Sequence, residues 1–426
     1  METERVPCRT EGCGNTILPA TAKANDGYCM PCVNKRRREE RDEYIRQNRR
    51  EVDPYAGITD VVGMIRVMHT PRPHDPLVVI RPSPNSAEEL YSGLSADQAS
   101  QLMKMAADAM RAGNEDFAED VAKSLATLTD YPLDHMLDAW IGQTHFWPSV
   151  VFRGAGATIR DAVVGALESG TANANHALSA LAWIGDAKVQ KLFREWETSP
   201  PHWRSGLFVG PAHYANVAGW ELGTHERRNL FHDECWAITP APTDEASDNS
   251  LRLMHKVNQS CPWCQRQLIH LVELNLADER FAFLGFSGEQ LPILTCDACT
   301  CYGTGFMFSR IAPDGTVRLA DENKRPDWLP DDVSSWERSP WKELPVRLHQ
   351  RRAIHAVDGW DSVALSQIGG LPTWVQDSAF PKCPDCSGTM KFVAQVDNGQ
   401  FPYHEGVYYA FLCASCRVTA TTYQQT

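Results

Sequence analysis

The chain reads as a multidomain α+β protein. Three observations predict it. Cysteines recur in pairs at metal-ligand spacing in three places, apolar residues follow a helical period from about Ser95 to Trp196, and period-2 runs lie beside the C-terminal cysteine pairs. The predicted order is a four-cysteine zinc finger with a charged helix (1–51), a proline-rich linker (52–94), a helical repeat-like domain (95–200), an aromatic-rich junction (201–250) and a mainly-β domain with two zinc-ribbon-like units (251–426).

The 426 residues are too many for one ordinary core. A hydrophobic content of 43% and a charged content of 22% are those of a folded chain. No apolar run has the length of a membrane span, and Met1–Thr10 is polar with no signal-peptide core. The expectation is a cytoplasmic protein that engages no membrane. The net charge of −13 disfavours a general nucleic-acid binder and suits a basic protein partner. Twelve of the fourteen cysteines fall into close pairs, leaving Cys235 and Cys301. Without an export signal, metal is the better reading than disulfides. Four thiolates close the shell of a Zn²⁺ ion and leave no position for water or substrate, so such a site supplies folding energy, about 10–16 kcal/mol in small zinc peptides.

The first predicted site is Cys8-x4-Cys13 with Cys29-x2-Cys32, beside Gly12, Gly14 and Gly27, where turns around a metal call for positive φ. The helix behind it is predicted over Val33–Arg50. It carries eight basic and four acidic side chains, so a nucleic-acid contact through Lys35–Arg38 competes with a solvated helix laced by i,i+4 pairs. Pro54, Pro71, Pro73, Pro76, Pro82 and Pro84 then predict a linker with one short strand at Leu77–Ile80.

Leu102, Met105, Ala106 and Met110 share a helical face, and Val121, Leu125 and Leu128 continue it. The run Ile159–Trp196 predicts a helix through Leu167, a turn at Gly170, a helix through Trp183, then Gly185-Asp186 and a short helix. Consecutive short helices of this kind resemble HEAT-like repeats; an ordinary helical bundle is the alternative. Residues 201–250 scatter Trp203, Phe208, Tyr214, Trp220, Phe231 and Trp236 among turns, with residues 241–250 as a loop. His202, His213, His225 and His232 also fall here, at no HExxH-type spacing, and would have to converge to form a hydrolytic metal site.

The C-terminal sites are Cys261-x2-Cys264 with Cys296-x2-Cys299, and Cys383-x2-Cys386 with Cys413-x2-Cys416. Cys301 could replace Cys299, but x2 spacing favours Cys299. Runs Leu268–Leu274, Phe281–Phe286, Met390–Val396 and Val407–Leu412 read as strands. Alternation places Met390, Phe392, Ala394 and Val396 on one face. Between the two units lie Trp328, Trp336, Trp341, Trp360 and the acidic Asp331-Asp332, expected as irregular backbone over the ribbons.

One stretch carries a family resemblance. Gly369-Gly370-Leu371-Pro372-Thr373-Trp374, followed by Cys383-Pro384-x-Cys386 and Phe392-Val393-x-Gln395, resembles the YwqG-like bacterial proteins and the programmed cell death protein 2 family. The resemblance covers about 365–416, and 251–300 through the repeated knuckle. Two glycines would permit a turn, Pro372 would fix φ, and Trp374 would anchor the loop on the sheet. The resemblance implies a non-enzymatic protein-binding module, an immunity protein of a toxin system or a chaperone-like adaptor. The alternatives are a nucleic-acid-binding zinc protein and a metal-dependent hydrolase using the His202–His232 region.

Overall fold

The computed structural model describes residues 5–224, 226–241, 247–301, 305–331, 345–355, 357, 365–397 and 405–425. The chain divides into two units, Met1–Ser86 and Ala87–Thr426.

The first unit begins with a minimal hairpin, β1 (Val6–Pro7) and β2 (Thr16–Ile17), then α1 (Pro19–Ala24) and the 19-residue α2 (Met30–Asn48). Pro31 sits in the first turn of α2, where its missing N–H costs nothing. None of the residues of α2 is buried, so its stability rests on pairs such as Lys35–Glu39 and Arg46–Glu43. The predicted linker proves to be folded. β3 (Arg50–Val52) pairs in parallel with β4 (Val78–Ile80), and between them runs α3 (Val61–His69), which buries Val62 and Ile65. Asp60 caps α3 by accepting from the Gly63 N–H. The prolines punctuate this segment without occupying the helix: Pro54 precedes it and Pro71 follows it.

The second unit opens with helices: α4 (Ala87–Ser92), α5 (Ala96–Arg111), α6 (Glu115–Leu128), α7 (Asp134–Gly142), α8 (Ala157–Glu168), α9 (Ala174–Ile184) and α10 (Ala187–Thr198). A Ser95–Gln98 capping box starts α5, and Leu102, Ala106 and Met110 are buried along one face, as the period predicts. Gly185, in the left-handed region at φ 55°, ends α9, and Asp186 caps α10. The helical period from 159 to 196 was therefore fully legible.

The remainder is built on strands β5 (Trp220–Leu222), β6 (Arg227–Asn229), β7 (His232–Pro240), β8 (Leu251–Ser260), β9 (Gln267–Asn275) and β10 (Gln290–Thr295). After them come α11 (Asp297–Cys301), β11 (Met307–Ile311), β12 (Val317–Leu319), β13 (Val346–Gln350), β14 (Gln367–Gly370), β15 (Lys391–Asp397), β16 (Val407–Cys413) and β17 (Val418–Gln424). Among the described residues, one antiparallel sheet has the order β12-β11-β17-β16-β15-β14-β7-β13, and a smaller one has the order β10-β9-β8. β5 and β6 form a separate hairpin.

Four expectations need correcting. The junction 201–250 is not merely irregular, because β7 lies inside the large sheet between β14 and β13. Its alternation is weak, with Asp233 and Glu234 exposed before Cys235 turns inward. Phe281–Phe286 is no strand: Asp278 and Gly285 bound a 3-10 helix over Glu279–Leu284. The face containing Met390 and Phe392 does not continue to Ala394 and Val396. Phe392 pairs with Phe411 and Ala394 with Ala410, so Val393 is an extra residue in a bulge that reverses the faces beyond it. The sheet tolerates this because both sides are buried there, with Phe392 and Phe411 in one cluster and Ala394, Val396 and Ala410 in the other. Finally, the two C-terminal units differ in connectivity. The first has a knuckle between β8 and β9 and another after β10; the second has one before β15 and another between β16 and β17.

Trp336, Trp341, Trp360 and Asp332 lie outside the described residues, as do residues 242–246 of the 241–250 loop. Trp328 is 36% exposed.

Candidate metal centres

Sequence-distant cysteines meet at three points. Cys8, Cys13, Cys29 and Cys32 form one group; Cys261, Cys264, Cys296 and Cys299 a second; Cys383, Cys386, Cys413 and Cys416 a third, with each set of sulfurs within 4.8 Å of one another. All are free of disulfides. A tetrahedral thiolate site with metal–sulfur bonds of about 2.3 Å has sulfur–sulfur edges of about 3.8 Å. The separations match: 3.7 Å for Cys13–Cys29, 3.8 Å for Cys261–Cys299 and 3.8 Å for Cys386–Cys413. A disulfide would bring two sulfurs to about 2.0 Å. Each group could therefore hold a metal ion, and its four soft ligands would fill the shell.

Local backbone builds each group. In the first, Cys8 follows β1, Cys13 precedes β2 and Cys29 caps α2. The Cys29 N–H donates to Cys8 Sγ (3.2 Å) and the Asn15 side chain to Cys29 Sγ (3.5 Å). Backbone donors from Cys29 and Thr10 hold the Cys8 thiol down at about 6, favouring the thiolate. Gly12 and Gly27 take the predicted positive φ, but Gly14 does not.

The second group lies in an extensive apolar core. Cys261 and Cys296 are fully buried among Leu268, Leu271 and Ile293. The Cys261 N–H donates to Arg266 O (2.7 Å), and the buried Asp297 pairs with Arg266 (3.3 Å), tying the two knuckles together. Cys301 faces away, its sulfur 2.7 Å from the Tyr408 hydroxyl, which leaves Cys299 as the ligand chosen by spacing.

The third group sits at the sheet margin. Cys383 is buried, Cys386 is exposed, and Cys413 and Cys416 are intermediate. The Cys383 N–H donates to Gly388 O, and a bridge between Lys382 and Thr389 closes the knuckle. Three of the x2 pairs share a signature: Gln265, Ser387 and Arg417, each directly after the second cysteine, have φ of 60°, 59° and 56°. That left-handed residue turns the chain around the sulfurs.

The Gly369–Trp374 stretch has a sharper role than a turn. Gly369 and Gly370 belong to β14, at φ 71° and 68° and at a register shift against β7. A Cβ on Gly370 would stand 2.7 Å from both Ala353 O and Cys235 Sγ. Trp374 stacks on Tyr409 at 4.8 Å, which anchors the loop on the sheet, and Gln395 accepts from the Thr373 N–H (2.8 Å).

The histidines do not converge: among the described residues no group of three metal-ligand side chains contains His202, His213 or His232, and His225 lies outside them. Burial, with Lys391 nearby, instead pushes His232 down to about 4. Sequence reading missed Glu115, Glu119 and His145, whose ligand atoms lie together, with His145 Nε2 2.8 Å from Glu119. The i,i+4 spacing of the two glutamates was visible, but His145 comes from beyond α7. No described helix is long and apolar enough to cross a membrane.

These features define an α+β protein of two units with three four-cysteine groups able to hold metal ions. The chain is 37% identical over 430 residues to the uncharacterized protein YpfL of Salmonella typhimurium (strain LT2), with 99% of this chain and 100% of that protein covered. It belongs to the YpfL family. No family model and no solved structure matches the chain.

Proposed function

We propose that this is a non-enzymatic, zinc-stabilised protein-binding protein of the cytoplasm. The observation that carries the reading is the closure of the cysteine sites: each of those three groups consists of four cysteines, apart from the separate group of Glu115, Glu119 and His145. Zinc suits four thiolates in a tetrahedron, and a full shell cannot activate water. The knuckle geometry supports zinc-ribbon-like units in the C-terminal part, and the consecutive helices α5–α10 support a HEAT-like arrangement. The role of Trp374 supports kinship with the YwqG-like and programmed cell death protein 2 families, hence an immunity or chaperone-like task. The net charge of −13 favours a basic partner. Affinity capture from cell extract at moderate salt, followed by mass spectrometry, tests this. A basic protein recovered in stoichiometric amount supports it; recovery of nucleic acid without protein overturns it.

One observation favours a second reading, nucleic-acid binding by the N-terminal unit. Arg37, Arg38 and Arg41 line one concavity on α2, a helix with no buried residue. Binding to duplex or single-stranded oligonucleotides with a steep salt slope, abolished by neutralising Lys35–Arg38, is its signature.

A further inference from the structure

A cationic hollow of about 640 Å³ lies on the second unit. Helix α10 contributes Gln190 and Arg194, the β5–β6 hairpin contributes Glu226, Arg227 and Arg228, and the start of β15 contributes Lys391. Four cations thus face one lining carboxylate, in a chain whose net charge is −13. Among the described residues, Arg227 and Lys391 form no ion pair; the Arg227 guanidinium donates to Gly185 O (3.4 Å) and lies 6.0 Å from the centre of the Trp220 ring.

The frame around these cations is fixed. Arg194 donates to Gly223 O (3.1 Å), holding the hairpin against α10, and Gln190 accepts from the Arg227 N–H (3.2 Å). Arg228 pairs with Glu221 (2.6 Å) and donates to Thr389 O (2.6 Å), at the base of the Cys383 knuckle. An anion entering the hollow therefore meets the Arg194 and Arg227 guanidinium groups already tied to backbone carbonyls, which lowers the entropic cost of binding.

We propose that this hollow binds a small phosphate-bearing anion through Arg194, Arg227 and Lys391. Planar guanidinium forks and an ammonium match phosphate oxygens. The volume falls in the range of about 300–1,000 Å³ used by small-molecule sites. No aromatic side chain lines it, so a base would have nothing to stack on and the phosphates supply the recognition. The site is independent of the protein-binding reading.

Isothermal titration of the full-length, metal-loaded protein with pyrophosphate, ATP, sulfate and a short single-stranded oligonucleotide tests the assignment. Pyrophosphate and ATP should bind alike, with sulfate far weaker. Lys391→Gln and Arg227→Gln should each weaken binding on the order of tenfold, the loss of one charge-assisted hydrogen bond. Among the described residues Lys391 makes no ion pair and no side-chain hydrogen bond, so its variant leaves the contacts of the hairpin with α10 and the Cys383 knuckle in place. No heat with pyrophosphate, sulfate binding equal to pyrophosphate, or unchanged affinity in Lys391→Gln would each overturn the proposal. Oligonucleotide binding much tighter than pyrophosphate and lost in both variants would do so too, assigning the hollow to nucleic acid.

Discussion

Replacing one cysteine by serine should have opposite severity in the two C-terminal groups. Cys261 is fully buried at the centre of the core formed by β8, β9 and β10, whereas Cys386 is exposed at the margin of the large sheet. Cys261→Ser exchanges a soft thiolate for a hydroxyl, a poor ligand, and strands it in an apolar core at a cost of about 1–3 kcal/mol. The larger effect is loss of the ion, which is worth about 10–16 kcal/mol in small zinc peptides. A natural domain has about 5–15 kcal/mol in total. The sum is comparable to or larger than the whole stability of such a domain, so the cooperative melt of the second unit should vanish. In Cys386→Ser, water can reach the vacated position. Met390, Phe392, Phe411 and Val418 remain buried, and the strands that carry them should persist with a lowered melting temperature. Metal analysis and thermal melts of both variants decide the matter. An unchanged melt and full metal content in Cys261→Ser, or greater damage from Cys386→Ser, would refute the reasoning.

Three further outcomes are expected. Trp374→Ala removes a ring that stacks on Tyr409 and packs edge-on against Phe380, and should cost about 3–5 kcal/mol by chemical denaturation. Ser387→Gly relieves a left-handed residue and should stabilise by about 1 kcal/mol; a destabilised variant would show that the turn is unstrained. His232 and His355 are held at about 4 in the folded state against an ordinary 6.5, mainly by burial, with Lys391 acting on the first and Arg351 and Arg352 on the second. Their folded values are depressed, so the unfolded chain takes up protons first. Stability is full above pH 6.5 and falls by about 3 kcal/mol per histidine as pH drops toward 4. His355→Gln should flatten that slope in pH-dependent denaturation, and an unaltered slope would contradict the assignment.

The cysteine groups were legible because ligand spacing is a local constraint written directly into the chain. The helices from 159 to 196 were legible for the same reason, through period and the Gly185-Asp186 boundary. What escaped depends on long-range partners. Strand β7 shows itself only when Cys235 and Ile238 find β14 and β13. The bulge at Val393 leaves no mark in a run where Lys391, Val393 and Gln395 alternate with Phe392, Ala394 and Val396 as an unbroken strand would. Helix α3 was hidden by prolines that flank it without entering it. The cationic hollow draws its charges from three separated segments, and no window of sequence contains them.

Metal content tests the central claim most directly. Purified full-length protein should carry three zinc ions per chain, all released by a thiol-specific reagent with loss of the folded signal. Disulfides in place of metal, fewer than three ions, or zinc that survives thiol modification would contradict the assignment of the twelve cysteines.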